Sequence, residues 1–309
     1  MKEYDAQGTA ALLPYAALVD ALHTAALELA SGAIVCPQRQ MIPMPGGGAV
    51  LSMLAVGADL AVHKLVTVVP ANRARGLPTI HGRVSVWDAQ TGEQRLSLDG
   101  ATVTGRRTAA LSMLGIRALL PHRPRSVWLT GTGTQARHHV EALTALFPEA
   151  RISVSGRTPG ASENFCAGHA HLGATLTPHP VAVFADEIDV FIACTTSQEP
   201  VYSEPARAER LLIAVGSFSP AAAEIDAATV RASRLYVDDP VGARHEAGDL
   251  IRAGVDWAAV VPLAQVLAQR RPPPVPPPGP TLLKTVGNAA WDLAAARVAV
   301  TSYASDGPS

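Results

Sequence analysis

The sequence has few of the features that point to a nucleic acid, a membrane or an export pathway. Its 309 residues carry 25 Lys and Arg against 26 Asp and Glu. This formal net charge of −1 gives no electrostatic reason to expect a nucleic-acid partner. Its apolar runs are too short to cross a bilayer, and the first residues lack the basic-then-apolar order of a signal peptide. We therefore expect a cytoplasmic protein without a nucleic-acid or membrane partner.

Cysteine is equally scarce, and its positions argue against disulfides and metal binding. The three cysteines, Cys36, Cys166 and Cys194, are an odd number and lack metal-type spacing. The adjacent pair His138 and His139 does not have the HExxH spacing that places two imidazoles on one helix face. We expect free thiols in a reducing compartment and no metal site.

The sequence contains two regions that differ in how their apolar residues are spaced. Short alternating apolar runs broken by Gly, Pro and Asp-Gly signals fill residues 33–100 and predict antiparallel strands. From Arg125 onward, near-continuous apolar strands alternate with helices, which indicates a parallel sheet covered on both faces. The fold class is therefore α/β, with a doubly wound (Rossmann) domain at 119–280 inserted in a mixed α+β domain. Residues 1–118, completed by 281–309, form that mixed domain.

A glycine turn between a strand and a helix is the first candidate site. "SVWLT" is followed by glycines and a small residue at the G-x-G-x-x-G/A offsets and then by the helical "RHHVEALTALF". In this setting the turn and the helix N-terminus bind the pyrophosphate of a dinucleotide. The predicted contacts in the turn are Gly131, Gly133, Thr134, Gln135 and Ala136.

The end of the next strand indicates which dinucleotide is bound. An acidic residue at this point would bind the ribose hydroxyls of NAD, but "RISVSGRTPG" has no carboxylate there. Ser155, Arg157 and Thr158 suit a 2′-phosphate instead, so we expect NADPH to be preferred, with NADH as the other candidate. Further cofactor contacts are predicted at the ends of two later strands, at Thr195, Thr196, Val215 and Gly216.

The segment before the nucleotide turn resembles a known family. "HKLVTVVPANRARGLPT", a later "TG" and "TGRRTAALS" resemble the ornithine cyclodeaminase/μ-crystallin family. The similarity extends upstream to "CPQRQMIPMP" and downstream to "AVGSFSP" and "LLKTVGNAAWDLAAA", so it covers nearly the whole chain. The resemblance implies a homodimer that associates through the mixed domain, with the substrate in the cleft between the domains.

The resemblance also implies that Arg39, Lys64, Thr79 and Arg107 surround the substrate. The chemistry of these residues agrees. An arginine fork binds the carboxylate of an amino or imino acid through two charge-assisted hydrogen bonds. Lys64 lies within an apolar strand, where desolvation lowers the pKa of an ammonium group and makes it useful as an acid or base.

One departure from the family pattern bears on the reaction. Ornithine cyclodeaminases resemble "GGD-x-P-G-K-x-E-L" where this chain has "AVGSFSPAAAEI", so Phe218 replaces an aspartate thought to handle a distal amine. We predict an NAD(P)H-dependent oxidoreductase that reduces a cyclic imino acid, with Phe218 among its substrate contacts. The expected reactions are Δ1-pyrroline-2-carboxylate to L-proline and Δ1-piperideine-2-carboxylate to L-pipecolate. Three alternatives stay open: ornithine cyclodeaminase, alanine dehydrogenase, and a non-catalytic NADPH-binding protein.

Overall fold

The computed structural model describes residues 2–179, 187–205, 207–217, 219–269 and 279–305. Within them the chain forms two compact units, one of Met1–Ala110 with Asn288–Ser309 and one of Leu111–Gly287. Among the helices in these ranges, none is both long and apolar enough to span a bilayer.

The first unit contains a mixed six-stranded sheet. Its strands are β1 (Lys2–Glu3), β2 (Gln40–Pro43), β3 (Ala49–Val56), β4 (Leu60–Val68), β5 (Ile80–Asp88) and β6 (Gln94–Asp99), in the order β1-β6-β5-β4-β3-β2. All neighbours pair antiparallel except β1 and β6, which are parallel. The helices are α1 (Ala6–Ala11), α2 (Tyr15–Ser31), the start of α3 (Gly100–Leu119) and α10 (Ala289–Ser305), with a 3₁₀ turn at Pro70–Arg75.

Strand β4 shows how this unit buries one face of its sheet. Leu60, Val62 and Val66 alternate along β4 and are buried, whereas Leu65 is exposed on the other face. This period of two is typical of a strand that packs on a core with one side only. Helix α10 packs against β3 and β4. Lys64 belongs to the buried set, so an ammonium group lies among apolar side chains.

The second unit is an eight-stranded parallel sheet with connecting helices. Its strands are β7 (Ser126–Thr130), β8 (Arg151–Ser155), β9 (Leu176–His179), β10 (Val190–Ala193), β11 (Leu211–Ala214), β12 (Arg234–Val237), β13 (Val261–Pro262) and β14 (Thr281–Lys284). Its helices are α4 (Thr134–Leu146), α5 (Pro159–Gly168), α6 (Ala227–Ala232), α7 (Pro240–Glu246), α8 (Gly248–Ala253) and α9 (Leu263–Gln269), with a 3₁₀ turn at Ala170–Leu172. Every residue of β10, β11 and β14 is buried. The predicted fold class is confirmed.

The strand order creates a switch point in this sheet. The order is β13-β12-β14-β11-β10-β7-β8-β9, and every neighbouring pair is parallel. From β7 the chain proceeds outward through β8 to β9 and then returns to β10 on the other side of β7. In open parallel sheets, ligands bind beside the carboxyl ends of the strands at such a point. The turns after β7, β8, β10 and β11 therefore lie together beside the carboxyl ends of the strands, which we call the functional edge of the sheet.

The unit boundaries differ from the sequence-based division at 118/119 and 280/281. Helix α3 runs without a break from Gly100 to Leu119 and so crosses from one unit to the other. The segment Thr281–Lys284 pairs with β11 and β12 inside the parallel sheet. Because this position is central, all four of its residues are buried. The assignment of substrate and dinucleotide to separate domains stays a prediction.

Gly82 is a position where the first unit requires glycine. Its φ of +146° is in the left-handed half of the map, and an added Cβ would overlap the carbonyl oxygen of Leu65. We predict that Gly82→Ala destabilises the protein by about 3 kcal/mol. Gly46→Ala is the matched control, since a Cβ there meets open space. Thermal unfolding should show a lower Tm for Gly82→Ala only; equal Tm values for both variants would show that Gly82 is not required.

Candidate active site

A buried ion cluster lies in the first unit, where β4, α3 and α10 contribute one side chain each. Lys64 Nζ is 2.7 Å from Asp292 Oδ2, and Arg107 Nε donates to Asp292 Oδ1 over 3.3 Å. The side chains of Lys64, Arg107 and Asp292 are 3%, 7% and 0% exposed. One carboxylate thus serves two cations, and with Lys64 protonated the cluster has a surplus positive charge.

The environment of Lys64 makes its ammonium group unusually acidic. Burial is the largest effect and lowers the pKa of Lys64 from 10.5 to about 8. The charge of Asp292 acts in the opposite direction, and the charges of Arg107 and Arg39 lower the pKa further. An ammonium group that loses its proton this close to neutral pH has the acidity that a general acid-base residue requires, and the catalytic role of Lys64 stays a prediction.

Two further predicted substrate contacts, Arg39 and Thr79, lie at different places relative to the Lys64 cluster. Arg39 is half-buried just before β2, and its charge acts on Lys64, so the structure brings it toward the cluster. Thr79 is half-buried in the loop before β5, and its carbonyl accepts from Val69 N over 2.8 Å. Because Lys64 pairs with Val84 in the middle of β5, Thr79 lies well along the strand from the cluster, and its role stays a prediction.

In the second unit, the glycine turn has the geometry of a dinucleotide site. Gly131 adopts φ +125°, its N–H donates to the Ser155 carbonyl over 2.8 Å, and an added Cβ would overlap the Cys194 carbonyl. Gly133 is the N-cap residue immediately before α4 and provides no side-chain hydrogen bond to it, and a Cβ there meets open space. The amides at the start of Thr134–Leu146 are thus available to an anion, and the fully buried Ala136 allows close packing behind them. These features fit a pyrophosphate group.

The turn after β8 separates the three residues predicted to contact a 2′-phosphate. Arg157 and Thr158 are exposed, and Thr158 is the residue that precedes α5. Ser155 is 2% exposed, and its hydroxyl oxygen accepts from Trp128 Nε1 over 3.0 Å and bonds to Thr130 Oγ1. Ser155 therefore braces neighbouring strands, which leaves Arg157 and Thr158 as the candidate phosphate contacts.

The turns after β10 and β11 are joined by Glu224, a carboxylate that is fully buried. Thr195 donates to Glu224 Oε1 through its N–H at 2.7 Å and its hydroxyl at 2.9 Å. Gly216 N–H donates to Glu224 Oε2 at 2.7 Å, and an added Cβ at Gly216 would overlap the Thr195 carbonyl. Thr196 is exposed and Val215 is half-buried, so both predicted contacts lie at the surface of this edge. Phe218 lies outside the described residues.

The sequence as a whole decides the family. The profile of the ornithine cyclodeaminase/mu-crystallin family matches residues 7–306. The chain belongs to this family. The resemblance inferred from the sequence motifs is therefore confirmed over almost the whole chain.

Members of the family with assigned activities are close in sequence. The chain is 55% identical over 298 residues to "Delta(1)-pyrroline-2-carboxylate reductase 2" of Burkholderia ambifaria, covering 96% of this chain and 94% of that protein. It is 54% identical over 296 residues to a Δ1-pyrroline-2-carboxylate/Δ1-piperideine-2-carboxylate reductase of Azospirillum brasilense, with the same coverage. The fold matches the Thermococcus litoralis Δ1-pyrroline-2-carboxylate reductase in complex with NADH and L-proline. That match has a TM-score of 0.90 and 25% identity over 99% of this chain and 98% of the other.

Sequence reasoning missed two carboxylates, Asp292 and Glu224. Asp292 is the single acidic residue in α10, a helix otherwise rich in Ala, and a lone carboxylate on such a helix is the signal that could have identified it. Glu224 lies in the irregular "AAAEI" segment, at the Glu position of the "GGD-x-P-G-K-x-E-L" pattern, and that match is the signal that could have identified it. The structure shows which groups donate to each carboxylate.

Loss of Asp292 should affect both stability and the ionisation of Lys64. We predict that Asp292→Asn destabilises the protein by about 3 kcal/mol, because two buried cations lose their shared counterion. The pKa of Lys64 should fall below about 8 in the variant, since the negative charge of Asp292 raises that pKa in the unmodified protein. Lysine-selective ¹³C NMR can follow this pKa because the chain has only Lys2, Lys64 and Lys284.

Asp59→Asn is the control for this measurement. Asp59 pairs with Arg297 at 2.7 Å in the same unit, but its side chain is half exposed. Exposed pairs contribute less than about 1 kcal/mol. An Asp292→Asn variant as stable as Asp59→Asn, with an unchanged Lys64 titration, would show that the cluster is not held by its shared carboxylate.

Proposed function

We propose that this protein reduces the cyclic imino acid Δ1-pyrroline-2-carboxylate to L-proline with a reduced nicotinamide cofactor. The observation that carries the proposal is the buried lysine with a pKa of about 8 beside an arginine that shares its carboxylate partner. An anionic substrate with a basic nitrogen suits both groups. The family and the activities of its similar members support the same reaction.

The surplus positive charge of the cluster selects a carboxylate. Arg107 donates to Asp292 through Nε, so the edge of its guanidinium that carries the two Nη groups is the candidate partner for a substrate carboxylate. Arg39 is the second candidate fork, since its charge already reaches Lys64. Because water is largely excluded from this buried site, the charge pairing is stronger than in solution.

Lys64 supplies the proton in this proposal. The carbon of an imine is a better electrophile when the imine nitrogen is protonated, and an ammonium group with a pKa of about 8 can donate to that nitrogen near neutral pH. Asp292 keeps Lys64 charged and oriented at 2.7 Å, while the charge of Arg107 lowers the pKa of Lys64 and makes its proton easier to donate. When bound, a reduced nicotinamide supplies the hydride that the C2 carbon accepts.

The cofactor would be held by the second unit. The amides at the start of α4 would bind the pyrophosphate, and the turns after β10 and β11 would contact the nicotinamide half. NADPH is the preferred form in our proposal, because exposed Arg157 and Thr158 follow β8 where an acidic residue is absent. NADH is the alternative cofactor, and Δ1-piperideine-2-carboxylate is the proposed second substrate, since one methylene discriminates weakly in an apolar pocket.

We also propose that the chain forms a homodimer. Leu54, Val56 and Leu65 are each about half exposed on the outward face of β3 and β4, and exposed Ile42 of β2 lies on the same face. A sheet face with several exposed apolar side chains is suited to a second copy of the chain. The three free cysteines favour a cytoplasmic setting.

Oxidation of NADPH with Δ1-pyrroline-2-carboxylate, measured beside ammonia release from L-ornithine, tests the reaction directly. We expect rapid loss of reduced-nicotinamide absorbance with the imine and no ammonia from ornithine. Ammonia and proline from ornithine would instead assign the cyclodeaminase reaction. Cofactor binding without either reaction would support a binding protein.

Replacing Lys64 should remove turnover while leaving cofactor binding intact. We predict that Lys64→Met lowers kcat by about 10²- to 10⁴-fold, the range for loss of a general acid, with the Kd for NADPH unchanged within about twofold. In the unmodified protein, kcat/KM should fall as the pH rises through about 8, because the donor loses its proton. Lys2→Met in β1 is the matched control and should have no effect. Turnover retained by Lys64→Met would exclude Lys64 as the acid.

Arg157 should set the preference between the two cofactors. We predict that Arg157→Ala raises KM for NADPH about tenfold and changes KM for NADH little, because the 2′-phosphate loses a charge-assisted partner. Arg151→Ala is the control, since Arg151 is an exposed arginine at the opposite end of β8. Equal losses with both cofactors, or no change with NADPH, would contradict the proposed 2′-phosphate contact.

A further inference from the structure

Glu224 occupies an unusual position behind the functional edge of the parallel sheet. Its carboxylate accepts four hydrogen bonds: Oε1 from the N–H and hydroxyl of Thr195, and Oε2 from the N–H groups of Gly216 and Ser217 at 2.7 and 3.2 Å. These donors come from two loops, one after β10 and one after β11. A single side chain therefore fixes the spacing between both loops.

Glu224 is itself held from behind by Asp249 and Lys284. Asp249 Oδ1 accepts from the N–H groups of Glu224 at 2.5 Å and Ile225 at 2.9 Å. Asp249 Oδ2 is 3.1 Å from Lys284 Nζ, and the side chains of Asp249 and Lys284 are fully buried. Asp249 lies in α8 and Lys284 ends β14, so the network connects three elements behind the edge.

The cost of this arrangement indicates a role beyond holding the fold together. Three ionisable groups are removed from water, which is expensive, and apolar side chains of similar size would often stabilise a core as well. What apolar side chains cannot do is hold four donors of two surface loops in one geometry. Gly216 has no room for a Cβ against the Thr195 carbonyl, so the two loops are pressed together where Glu224 joins them.

We propose that Glu224 is a positioning residue for the nicotinamide dinucleotide, acting through the Thr195 and Gly216 loops that contact the cofactor. The inference rests on the proposed function in one respect only, namely that the second unit binds such a dinucleotide. Glu224 does not touch the cofactor; it sets the positions of the backbone that does. Dinucleotide affinity then depends on the charge of a carboxylate that the ligand never contacts.

The charge of Glu224 changes within the physiological pH range. Burial raises its pKa from 4.5 to about 7; Lys284 lowers it, Asp249 raises it, and the bonds from Thr195 lower it. Cys194, a titratable group that also interacts with Glu224, has its pKa raised well above 9 by burial and stays a neutral thiol. When Glu224 is protonated, an O–H replaces an acceptor site, and at least one of the four bonds is lost or reversed. Affinity should therefore decrease as the pH falls through about 7.

The test measures the Kd for NADH by nicotinamide fluorescence between about pH 5.5 and 8.5. NADH is the probe because the 2′-phosphate of NADPH itself titrates near pH 6. For the unmodified protein we expect an affinity about tenfold lower at the acidic end, as for loss of a charge-assisted hydrogen bond. Glu224→Gln, which resembles the protonated form, should bind about tenfold more weakly at pH 8 and show no dependence on pH. Its kcat with saturating cofactor and Δ1-pyrroline-2-carboxylate should stay within about threefold.

Asp189→Asn is the matched control. Asp189 accepts from the backbone N–H groups of Arg125 at 2.7 Å and Ser126 at 3.2 Å, at the opposite edge of the same sheet. This variant should keep the affinity and pH profile of the unmodified protein.

The outcomes separate the inference from the proposed function. An NADH affinity of the unmodified protein that is constant with pH overturns the inference, even if Glu224→Gln does not fold. Wild-type affinity and pH profile in Glu224→Gln also overturn it, as does an Asp189→Asn variant that loses the pH dependence equally. Failure of the unmodified protein to bind NADH or NADPH at any pH overturns the inference together with the proposed cofactor.

Discussion

Asp292 is shared by two buried cations, and this one ionic arrangement sets the requirements for the first unit. Lys64 and Arg107 reach Asp292 from β4 and α3, so strand register, helix position and the docking of α10 must all agree. Removing Asp292 leaves two buried cations without compensation, which is far more costly than losing a surface pair. With Lys64 protonated, the three side chains also carry a net positive charge, which a substrate carboxylate would balance.

In the second unit, small residues and backbone amides shape the candidate dinucleotide site. Gly131 and Gly216 remove side chains where strand ends approach one another, and Gly133 leaves space beside the start of α4. Loops at a sheet edge gain few contacts of their own, so they need support from the interior. Glu224, Asp249 and Lys284 provide this support from behind. In our proposal, catalytic acidity and cofactor placement both rely on buried carboxylates, Asp292 in the first unit and Glu224 in the second.

Sequence patterns were sufficient for the parallel sheet, the glycine turn and the lysine in an apolar strand, because each has a local signal. The turn has fixed glycine offsets, and Lys64 interrupts a period-two strand. Asp292 and Glu224 were not predicted, since the groups that bind each carboxylate come from other elements of the fold. Ser155 shows the reverse: its polarity suggested a ligand contact, but its hydroxyl bonds to Trp128 and Thr130 inside the sheet. Strand β14 lay beyond the predicted domain boundary because β-pairing partners are not encoded locally.

The proposed reaction depends above all on recognition of a carboxylate by the surplus charge at Lys64, Arg107 and Asp292. Calorimetric binding of pyrrole-2-carboxylate and pyrrole-2-carboxamide, in the presence of the oxidised cofactor, isolates this recognition. The two ligands share a planar five-membered ring that cannot react, and they differ in charge. We predict that the carboxylate binds at least about tenfold more tightly, a difference of about 1.4 kcal/mol, and that Arg107→Met abolishes the difference. Equal affinities of the two ligands for the unmodified protein would contradict recognition by charge.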